Sequence, residues 1–306
     1  FLKFPLSKYI WFDGKLVPVN MAKVPVTTHA IHYGTSVFEG IRAYWNSKNL
    51  HVFRLKDHVK RFRNSGKFYN IKLNFSDRQI ENAVIDLCKK NKIKKSCYIR
   101  PFYFVGQYGI NFHVTQKAPT HTAIFAFPFG DLFNKSGITA TISKWRKFSD
   151  MSTPTQAKMG GNYLNSILAT QDAKQRGFDE AILLDQSGNV SEAPGENIFL
   201  VKNNMLVTPS LSSSALDGIT RRSIITLAKD MKLKIKTQKV SKKELKMADE
   251  IFLSGTAAEI TPVIKIDKKK IGEGKVGNIT KLFMATYSDI VMNKNENYSN
   301  WLTAVY

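Results

Sequence analysis

The connections between strand patterns are the sequence feature that most restricts the fold of this chain. Near the start, "YIWFDGKLVPV" alternates apolar and polar residues around Asp13-Gly14, a dipeptide that favours a two-residue hairpin turn. The segment "RAYWNSKNLHVFRL" repeats the order of strand, turn and strand. In the second half, strand patterns alternate with helical ones, such as residues 163–176 and the segment after Gly218. Hairpins early and helical connections later predict a mixed α/β (α+β) fold.

The length of the chain favours two domains. It has 306 residues, whereas single hydrophobic cores seldom grow beyond about 250–300 residues. The polar stretch "DLFNKSG" is the best candidate for a connection between the domains. We therefore expect a small N-terminal domain over residues 1–131, an interdomain linker over 132–137 and a larger domain over 138–306.

Composition restricts the class of protein. Hydrophobic residues make up 43% of the chain and aromatic residues 11%, as in soluble globular proteins. No apolar run is long enough to span a membrane, and the first residues, "FLKFPLSKYIWF", lack the pattern of a secretory signal. Cys88 and Cys97 form no CxxC motif, so neither a disulfide framework nor a cysteine zinc site is expected. These features predict a cytoplasmic protein that does not bind membranes.

The net charge is the main argument for a different class, a basic nucleic-acid-binding protein. The chain carries 46 basic and 24 acidic residues, a net charge of +22. The basic residues are scattered along helices and turns, and clusters such as "KKNKIKK" match no nucleic-acid-binding motif. A solvated, lysine-rich surface is the favoured interpretation, and no specific nucleic-acid partner is expected.

Two further motifs are set aside. "GEGKVG", residues 272–277, has the spacing of a dinucleotide-binding loop. That fingerprint also needs a following strand and an acidic residue about twenty positions later, which the end of the chain does not supply. His29 and His32 are three residues apart, as metal ligands on a helix can be, but no third ligand lies at a suitable spacing. We expect neither a dinucleotide site nor a metal site.

Lys158 stands in an unusual context for a lysine. In "TPTQAKMGGNYLNS" a Pro/Thr-rich approach precedes it and Gly160-Gly161 follows it. A lysine forms a Schiff base only as the neutral amine, and burial or a neighbouring cation must lower its pKa for that. The glycine pair would let another group come close to the backbone, and Tyr163 could bring a phenol beside the amine. The context predicts a catalytic lysine only if other parts of a site accompany it.

The other parts of a pyridoxal 5'-phosphate site do occur in the sequence. Glu192 in "SEAPGENIF" is a carboxylate that could keep the pyridine nitrogen protonated. A phosphate group needs backbone N–H groups at a helix start, a hydroxyl and a cation. Those features are supplied by Gly218, Ile219 and Thr220 in "LDGITRRSII", by Thr256 in "SGTAAE", and by Arg61 on the helix that also carries His58. Together they predict pyridoxal phosphate as the cofactor of Lys158.

Six motifs follow one another across almost the whole chain: "HAIHYGTSVFEGIRAY", "YIRP", "AKMGGNYLNS", "SEAPGENIF", "GITRR" and "SGTAAEITPV". In this order they resemble the bacterial branched-chain amino-acid aminotransferases, members of the fold-type IV class of pyridoxal-phosphate enzymes. The resemblance implies a smaller N-terminal α/β domain and a larger C-terminal domain with the cofactor between them. It also implies reversible amino-group transfer between leucine, isoleucine or valine and 2-oxoglutarate. The working unit would be at least a homodimer, hexameric in many bacteria.

The resemblance implies a role for each site residue. Lys158 would form the Schiff base and move the substrate proton, Glu192 would hold the pyridine nitrogen, and Tyr163 would bond the ring hydroxyl. The phosphate ligands would be Arg61, Ile219, Thr220 and Thr256. In the substrate pocket, Tyr98 and Arg100 would meet the glutamate side chain, Tyr33, Phe38 and Phe129 would form an apolar wall, and the backbone at Thr256-Ala257 would receive the α-carboxylate.

The predicted strand 97–105 supports the substrate assignment independently. Tyr98, Arg100, Phe102 and Phe104 share one face of it, because alternate residues of a strand point the same way. An arginine on an aromatic face favours an anionic ligand.

Some positions depart from the family pattern. Phe129 in "FPFG" stands where the family commonly has Trp, and Leu132 where it commonly has Tyr, so the breadth of the substrate pocket stays open. Pro194 stands where small residues are usual and would stiffen the turn beside Glu192. D-amino-acid aminotransferase and aminodeoxychorismate lyase share the lysine and glutamate and are the alternatives within the fold. The stretches "EGIR", "YIRP" and "AAEITPV" favour the branched-chain group.

Overall fold

A computed structural model describes residues 7–306, so the start of "FLKFPLSKYIWF", including Pro5, lies outside the described residues. The chain divides into two compact units. The first comprises the residues up to Gly130, Ala157–Gly161 and Asp289–Tyr306, and the second comprises Asp131–Gln156 and Asn162–Ser288. Each unit is mixed α/β.

Strands and helices alternate irregularly along the chain. In chain order the strands are β1 (Tyr9–Phe12), β2 (Lys15–Pro18), β3 (Ser36–Phe38), β4 (Ile41–Trp45), β5 (Leu50–Phe53), β6 (Cys97–Val105), β7 (Thr120–Pro128), β8 (Ile138–Arg146), β9 (Glu180–Leu184), β10 (Asn197–Lys202), β11 (Met205–Pro209), β12 (Ile235–Gln238), β13 (Glu250–Gly255), β14 (Glu259–Ile266), β15 (Lys269–Lys270) and β16 (Leu302–Ala304). The helices are α1 (His29–Tyr33), α2 (Leu55–Lys67), α3 (Asp77–Lys90), α4 (Tyr163–Gln175), α5 (Ile219–Asp230), α6 (Lys242–Lys246) and α7 (Asn278–Val291).

The first unit is built on an antiparallel sheet with the strand order β16-β5-β4-β6-β7-β1-β2, and β3 also pairs with β6. The predicted hairpin is confirmed, because Asp13 and Gly14 have φ of 44° and 92° and join β1 directly to β2. Helices α2 and α3 bury their apolar faces in the core of this unit, with Phe62 and Leu87 fully buried. A capping box formed by Ser76 and Gln79 starts α3.

The second unit is built on a mixed sheet with the strand order β12-β11-β10-β13-β14-β8-β9, and β15 pairs with β14. Parallel pairing joins β11 to β12, β14 to β8 and β8 to β9. The parallel pair β8 and β9 is connected through α4, which contacts both strands. "GEGKVG" forms the turn between β15 and α7 with Gly272 and Gly274 at positive φ, in agreement with a glycine loop.

Two segments join the first unit although they lie far along the chain. Ala157–Gly161 lies beside β3, where Met159 pairs with Val37. The C-terminal strand β16 pairs with β5, with Leu302 opposite Phe53. The expected division into residues 1–131, a linker over 132–137 and a larger domain over 138–306 places both segments in the larger domain. The "DLFNKSG" stretch belongs to the second unit, where Lys135 forms ion pairs with Asp131 and Glu259.

The longest helices, α3 and α7, have 14 residues each. Within residues 7–306, no helix has the length and apolar character that crossing a membrane requires.

Candidate active site

Lys158 is held in place by its backbone. Its N–H donates to the hydroxyl of Ser65 on α2 (3.0 Å), and its carbonyl accepts from the N–H of Phe38 on β3 (3.1 Å). The glycine after it is required by close packing, since a Cβ at Gly160 would lie 2.3 Å from the Ser36 hydroxyl. The expectation that the glycine pair allows a close approach is therefore confirmed. The lysine is fixed to the sheet at a point where side chains from α2 and β3 converge.

A buried carboxylate, Glu39, organises the charges near Lys158. Its oxygens accept from Nε and Nη2 of Arg61 at 2.6 and 2.9 Å and from Nδ1 of His58 at 2.7 Å. Burial alone would raise the pKa of Glu39, but the Arg61 charge and these bonds outweigh it and hold the pKa well below its usual range. Burial lowers the pKa of His58 despite the carboxylate beside it, so this imidazole is neutral near pH 7. Arg61 is thus a fixed cation rather than a solvated helix arginine.

The lysine itself is tuned by these groups. Burial lowers the pKa of Lys158 to about 8; the Arg61 guanidinium adds to this effect and Glu39 opposes it. The amine is therefore substantially neutral just above physiological pH. This is the condition that nucleophilic use of a lysine requires.

Phe38 links the lysine to the arginine that the sequence assigned to substrate. The Lys158 Nζ lies 4.8 Å from the centre of the Phe38 ring, and the Arg100 guanidinium carbon lies 4.5 Å from the same ring. Arg100 Nη2 donates to the Tyr98 hydroxyl (3.2 Å), and the Tyr98 ring contacts Phe129 at 5.5 Å. Among the described residues, Arg100 Nε is buried without a hydrogen-bond acceptor. A buried donor of this kind suits an anionic ligand.

Tyr33 makes ring contacts with a different set of residues. It ends α1, and its ring contacts are with His29, His32 and Phe112. The predicted shared face of strand 97–105 is confirmed by the contact of Arg100 with Tyr98. The first unit therefore brings together Arg100, Tyr98, Phe38 and Phe129. The ring contacts of Tyr33 do not include these residues.

Glu192 lies in the second unit and is itself buried, with 5% of its surface exposed. One carboxylate oxygen accepts from Asn197 Nδ2 (3.1 Å) and from the Leu216 N–H (2.9 Å). The other is 2.6 Å from Nζ of Lys147. Glu192 is thus a firmly oriented, ion-paired group and not an exposed turn carboxylate.

Asn197 ties the Glu192 loop to the two segments predicted to bind phosphate. It begins β10 and pairs with Ser254 on β13, whose end leads into the turn that contains Thr256 and Ala257. A Cβ at Gly218 would lie 2.0 Å from the Asn197 amide oxygen, so only glycine allows helix α5 to start this close. Ile219 and Thr220 are the first residues of α5, as predicted, and both are buried. Glu192, the α5 start and the Thr256 turn therefore lie at the same end of the central strands β10 and β13.

Three further positions singled out in the sequence, Tyr163, Leu132 and Pro194, lie in or near the second unit's helix α4 or on the surface. Tyr163 is the first residue of α4, in the second unit. Leu132 is 44% exposed, and the Pro194 carbonyl accepts from the Ser166 hydroxyl (2.7 Å).

Sequence reasoning did not single out Glu39, Lys147 or Asn197. For Glu39 a signal existed, since it stands in "FEGIR" and three-residue spacing puts His58 and Arg61 on one face of a helix. Lys147 carries no such signal, because it stands among other basic residues in "KWRK".

Comparison with known proteins agrees with this geometry. The family model described as "Amino-transferase class IV" matches residues 36–266. The branched-chain-amino-acid aminotransferase of Salmonella typhimurium is 43% identical over 303 residues, which cover 98% of each chain.

Two solved structures are similar over nearly their full length. The branched-chain aminotransferase of Thermoproteus uzoniensis with norvaline has a TM-score of 0.95 at 41% identity, covering 98% of this chain and 100% of that chain. The T.th. branched-chain amino acid aminotransferase complexed with N-(5'-phosphopyridoxyl)-L-glutamate has a TM-score of 0.94 at 40% identity, covering 98% and 99%. Because these matches extend over almost the whole chain at such identity, the chain belongs to the class IV aminotransferases and, within them, to the branched-chain-amino-acid aminotransferases.

Proposed function

We propose that this chain reversibly transfers the amino group between L-leucine, L-isoleucine or L-valine and 2-oxoglutarate, with pyridoxal 5'-phosphate as its cofactor. The observation that carries the proposal is the lysine of "AKMGGNY", whose pKa is lowered to about 8 and which shares the Phe38 ring with Arg100. A neutral amine beside a guanidinium with a buried, unpartnered Nε suits a reaction on amino acids that also carry carboxylates.

The residues present fit this cofactor. In the first unit Glu39 offsets the charge of Arg61, and Arg100 leaves a positive excess that suits a phosphate and substrate carboxylates. In the second unit a helix start and the ion-paired Glu192 carboxylate lie near the start of β10. The similar T.th. enzyme was solved with a phosphopyridoxyl group joined to L-glutamate.

Each residue then has a definite task. When bound, pyridoxal phosphate supplies an aldehyde that links to amino groups and a protonated ring that takes up electrons from the substrate Cα. Arg61 and the segments at Ile219, Thr220 and Thr256 would hold the phosphate. Tyr163 would bond the ring hydroxyl, and Glu192 would hold the proton on the pyridine nitrogen.

Lys158 would act both as the covalent anchor and as the base. Its Nζ, neutral above about pH 8, would take the proton from the substrate Cα and would deliver it to C4′ of the cofactor. The fixed backbone of Lys158 on Ser65 and Phe38 confines this amine to a small volume.

The substrate pocket must accept an aliphatic side chain and a glutamate carboxylate in turn. Phe38 and Phe129, with Tyr33, would form the apolar wall, while Arg100 and Tyr98 would bind the second carboxylate of glutamate. The α-carboxylate, which all substrates share, would be received by the backbone at Thr256-Ala257. Relatives solved with norvaline and with a glutamate adduct support this dual use.

The proposal extends to assembly and location, which the resemblance to the family implies. We expect a homodimer at least, with hexamers as in many bacterial relatives, working in the cytoplasm without membrane or nucleic-acid partners. Self-association is supported by strongly exposed apolar residues in the loop after β6, among them Ile110 (91%) and Phe112 (87%).

The test is the Arg100→Met variant, measured in each half-reaction separately. In the wild type, L-leucine should bleach the visible band of the bound cofactor and 2-oxoglutarate should restore it. Losing a charge-assisted bond costs about 2 kcal/mol, or about thirtyfold in binding. We expect KM for glutamate and 2-oxoglutarate to rise by at least about tenfold, and single-turnover bleaching by leucine to stay within about threefold.

Arg63→Met, which removes an arginine paired with Asp77 on the same unit, is the matched control and should change neither half-reaction. Equal damage to both half-reactions in Arg100→Met would contradict the dual-substrate assignment. Reaction with D-alanine instead of L-leucine, or release of aminobenzoate and pyruvate from aminodeoxychorismate, would favour the alternative enzymes of this fold.

A further inference from the structure

Lys147 is a second inward-pointing lysine, and the roles above do not use it. It follows β8 directly, with exposed residues Arg146 and Phe148 on either side. Its N–H donates to the Leu184 carbonyl (2.8 Å), and its carbonyl accepts from Gln186 Nε2 (2.8 Å). Both main-chain groups of Lys147 are therefore fixed to the end of β9.

The start of helix α4 fixes the same segment from the other side. Asn165 Nδ2 donates to the carbonyl of Arg146 (2.9 Å), and Asn165 Oδ1 accepts from the N–H of Phe148 (3.4 Å). Asn165 thus bridges the residues on both sides of Lys147. These contacts direct the Lys147 side chain inward, away from the solvent that its neighbours face.

The side chain of Lys147 ends on Glu192. Its Nζ is 2.6 Å from Glu192 Oε1, and only 15% and 6% of the two side chains are exposed. Burial alone would lower the pKa of Lys147, but the Glu192 charge outweighs it and raises the pKa, and Tyr163 adds to this effect. Arg221 is the further cation whose charge acts on Glu192, but it is bonded to Asp217 and the Pro209 carbonyl. Lys147 is therefore the cation in direct contact with the carboxylate.

We propose that Lys147 is a positioning residue of the active site, which keeps the Glu192 carboxylate ionised and correctly oriented for the protonated pyridine nitrogen of the cofactor. The inference rests on the proposed function, because it takes the role of Glu192 from there. The two carboxylate oxygens of Glu192 have different partners. Oε2 accepts from Asn197 and Leu216, while Oε1 has Lys147 as its ionic partner. An oxygen with one such bond keeps lone-pair capacity for a second donor.

The charge of Lys147 matters because Glu192 is buried. Without it, the carboxylate keeps two neutral donors but no contacting cation, and burial then favours the protonated acid. A neutral acid cannot pair with a pyridinium ion. The loss of Lys147 should therefore add a pH dependence to cofactor binding, caused by protonation of Glu192, that the wild type lacks.

The experiment measures binding of pyridoxamine 5'-phosphate, which forms no Schiff base with Lys158, to the cofactor-free full-length chain by calorimetry. Kd is determined at about pH 6 and about pH 8.5 for the wild type and for Lys147→Met, Lys147→Arg and Lys144→Met. Lys144 is the matched control, a largely exposed lysine on β8, 4.0 Å from Asp172. Dividing each variant's Kd ratio by that of the wild type cancels the titration of the ligand itself.

We expect the ratio of Kd at about pH 6 to Kd at about pH 8.5 to be at least about tenfold larger for Lys147→Met than for the wild type. Lys147→Arg should bring this ratio most of the way back to that of the wild type. The double variant Lys147→Met with Glu192→Gln should lose this extra pH dependence, because no carboxylate is left to protonate. If the methionine variant does not fold, Lys147→Gln gives the same readout. A merely structural ion pair would weaken binding equally at both pH values.

An unchanged ratio in Lys147→Met or Lys147→Gln would overturn the inference, as would a persistent pH effect in the double variant. If the wild type itself binds no pyridoxamine 5'-phosphate, the proposed function fails instead, so the two failures are distinguishable.

Discussion

Lys158 and Lys147 are both held inward by their backbones, yet their pKa values move in opposite directions. In the first unit, burial lowers the pKa of Lys158 to about 8, with Arg61 adding to the effect. In the second unit, burial acts the same way on Lys147, but contact with Glu192 raises its pKa above the usual value. The nearest carboxylate, rather than burial, decides which lysine is a usable amine.

The opposite pKa shifts of the two lysines arise from the partners of the buried carboxylates, Glu39 in the first unit and Glu192 in the second. Glu39 is bonded to Arg61 and His58, and its charge raises the pKa of Lys158 less than burial and Arg61 lower it. Glu192 is bonded directly to Lys147 and holds it as a permanent cation. A lysine can therefore be kept available for chemistry when an arginine occupies the acid that would otherwise pair with it.

Replacing the two lysines in turn gives the largest expected effect. Lys158→Ala should abolish turnover and leave the cofactor bound only non-covalently, because no other group supplies the amine. Lys147→Met should retain covalent attachment. Borohydride reduction followed by peptide mapping checks this, and fixation of the cofactor at the same peptide in Lys158→Ala would show that the assignment is wrong.

Neutralising Glu192 should have the next largest effect. Glu192→Gln keeps the shape and the bonds from Asn197 and Leu216 in part, so we expect a folded protein. A neutral amide cannot stabilise a protonated pyridine ring, and kcat should fall on the order of a hundredfold, as for other losses of charge stabilisation at a reacting centre. Circular dichroism serves as the folding control. A kcat near that of the wild type would remove Glu192 from the mechanism.

Local sequence signals predicted much of the fold. The Asp13-Gly14 turn is formed as predicted, because it depends on residues next to one another. Ser76 and Ser241 form capping boxes, which likewise depend on residues only three positions apart. The pairing of β16 with β5 has no comparable signal. Leu302 and Phe53 are far apart in sequence, and a three-residue strand near the end of a chain carries too little pattern to identify its partner.

Some residues of the candidate site could likewise be predicted from local sequence signals, whereas others depend on tertiary contacts. Lys158 and the α5 start could be found because glycines and helix-start chemistry mark them locally. Lys147 could not be found, since it stands in the basic run "KWRK" between exposed residues, and its inward direction depends on Asn165 and the end of β9. A charged residue within a basic run is indistinguishable from a surface lysine until tertiary contacts are known.

The smallest expected effect is a shift in the titration of Lys158, and it tests the comparison most closely. The rate at which pyridoxal, which lacks a phosphate, attaches to the cofactor-free protein should follow the fraction of neutral amine. For the wild type the rate should rise with pH around the Lys158 pKa of about 8. Absorbance of the attached aldehyde at a series of pH values measures the midpoint without any contribution from phosphate binding.

Two variants should move this midpoint in opposite directions. Glu39→Gln removes an anion that favours the ammonium form, so the pKa of Lys158 should fall and attachment should begin at lower pH. Arg61→Met removes a cation that disfavours the ammonium form, so the midpoint should rise. Each shift should be on the order of half to one pH unit. Exposed Lys144→Met should leave the midpoint unchanged, and shifts of the same sign in both variants would mean that altered burial, and not the charges of Glu39 and Arg61, sets the pKa of Lys158.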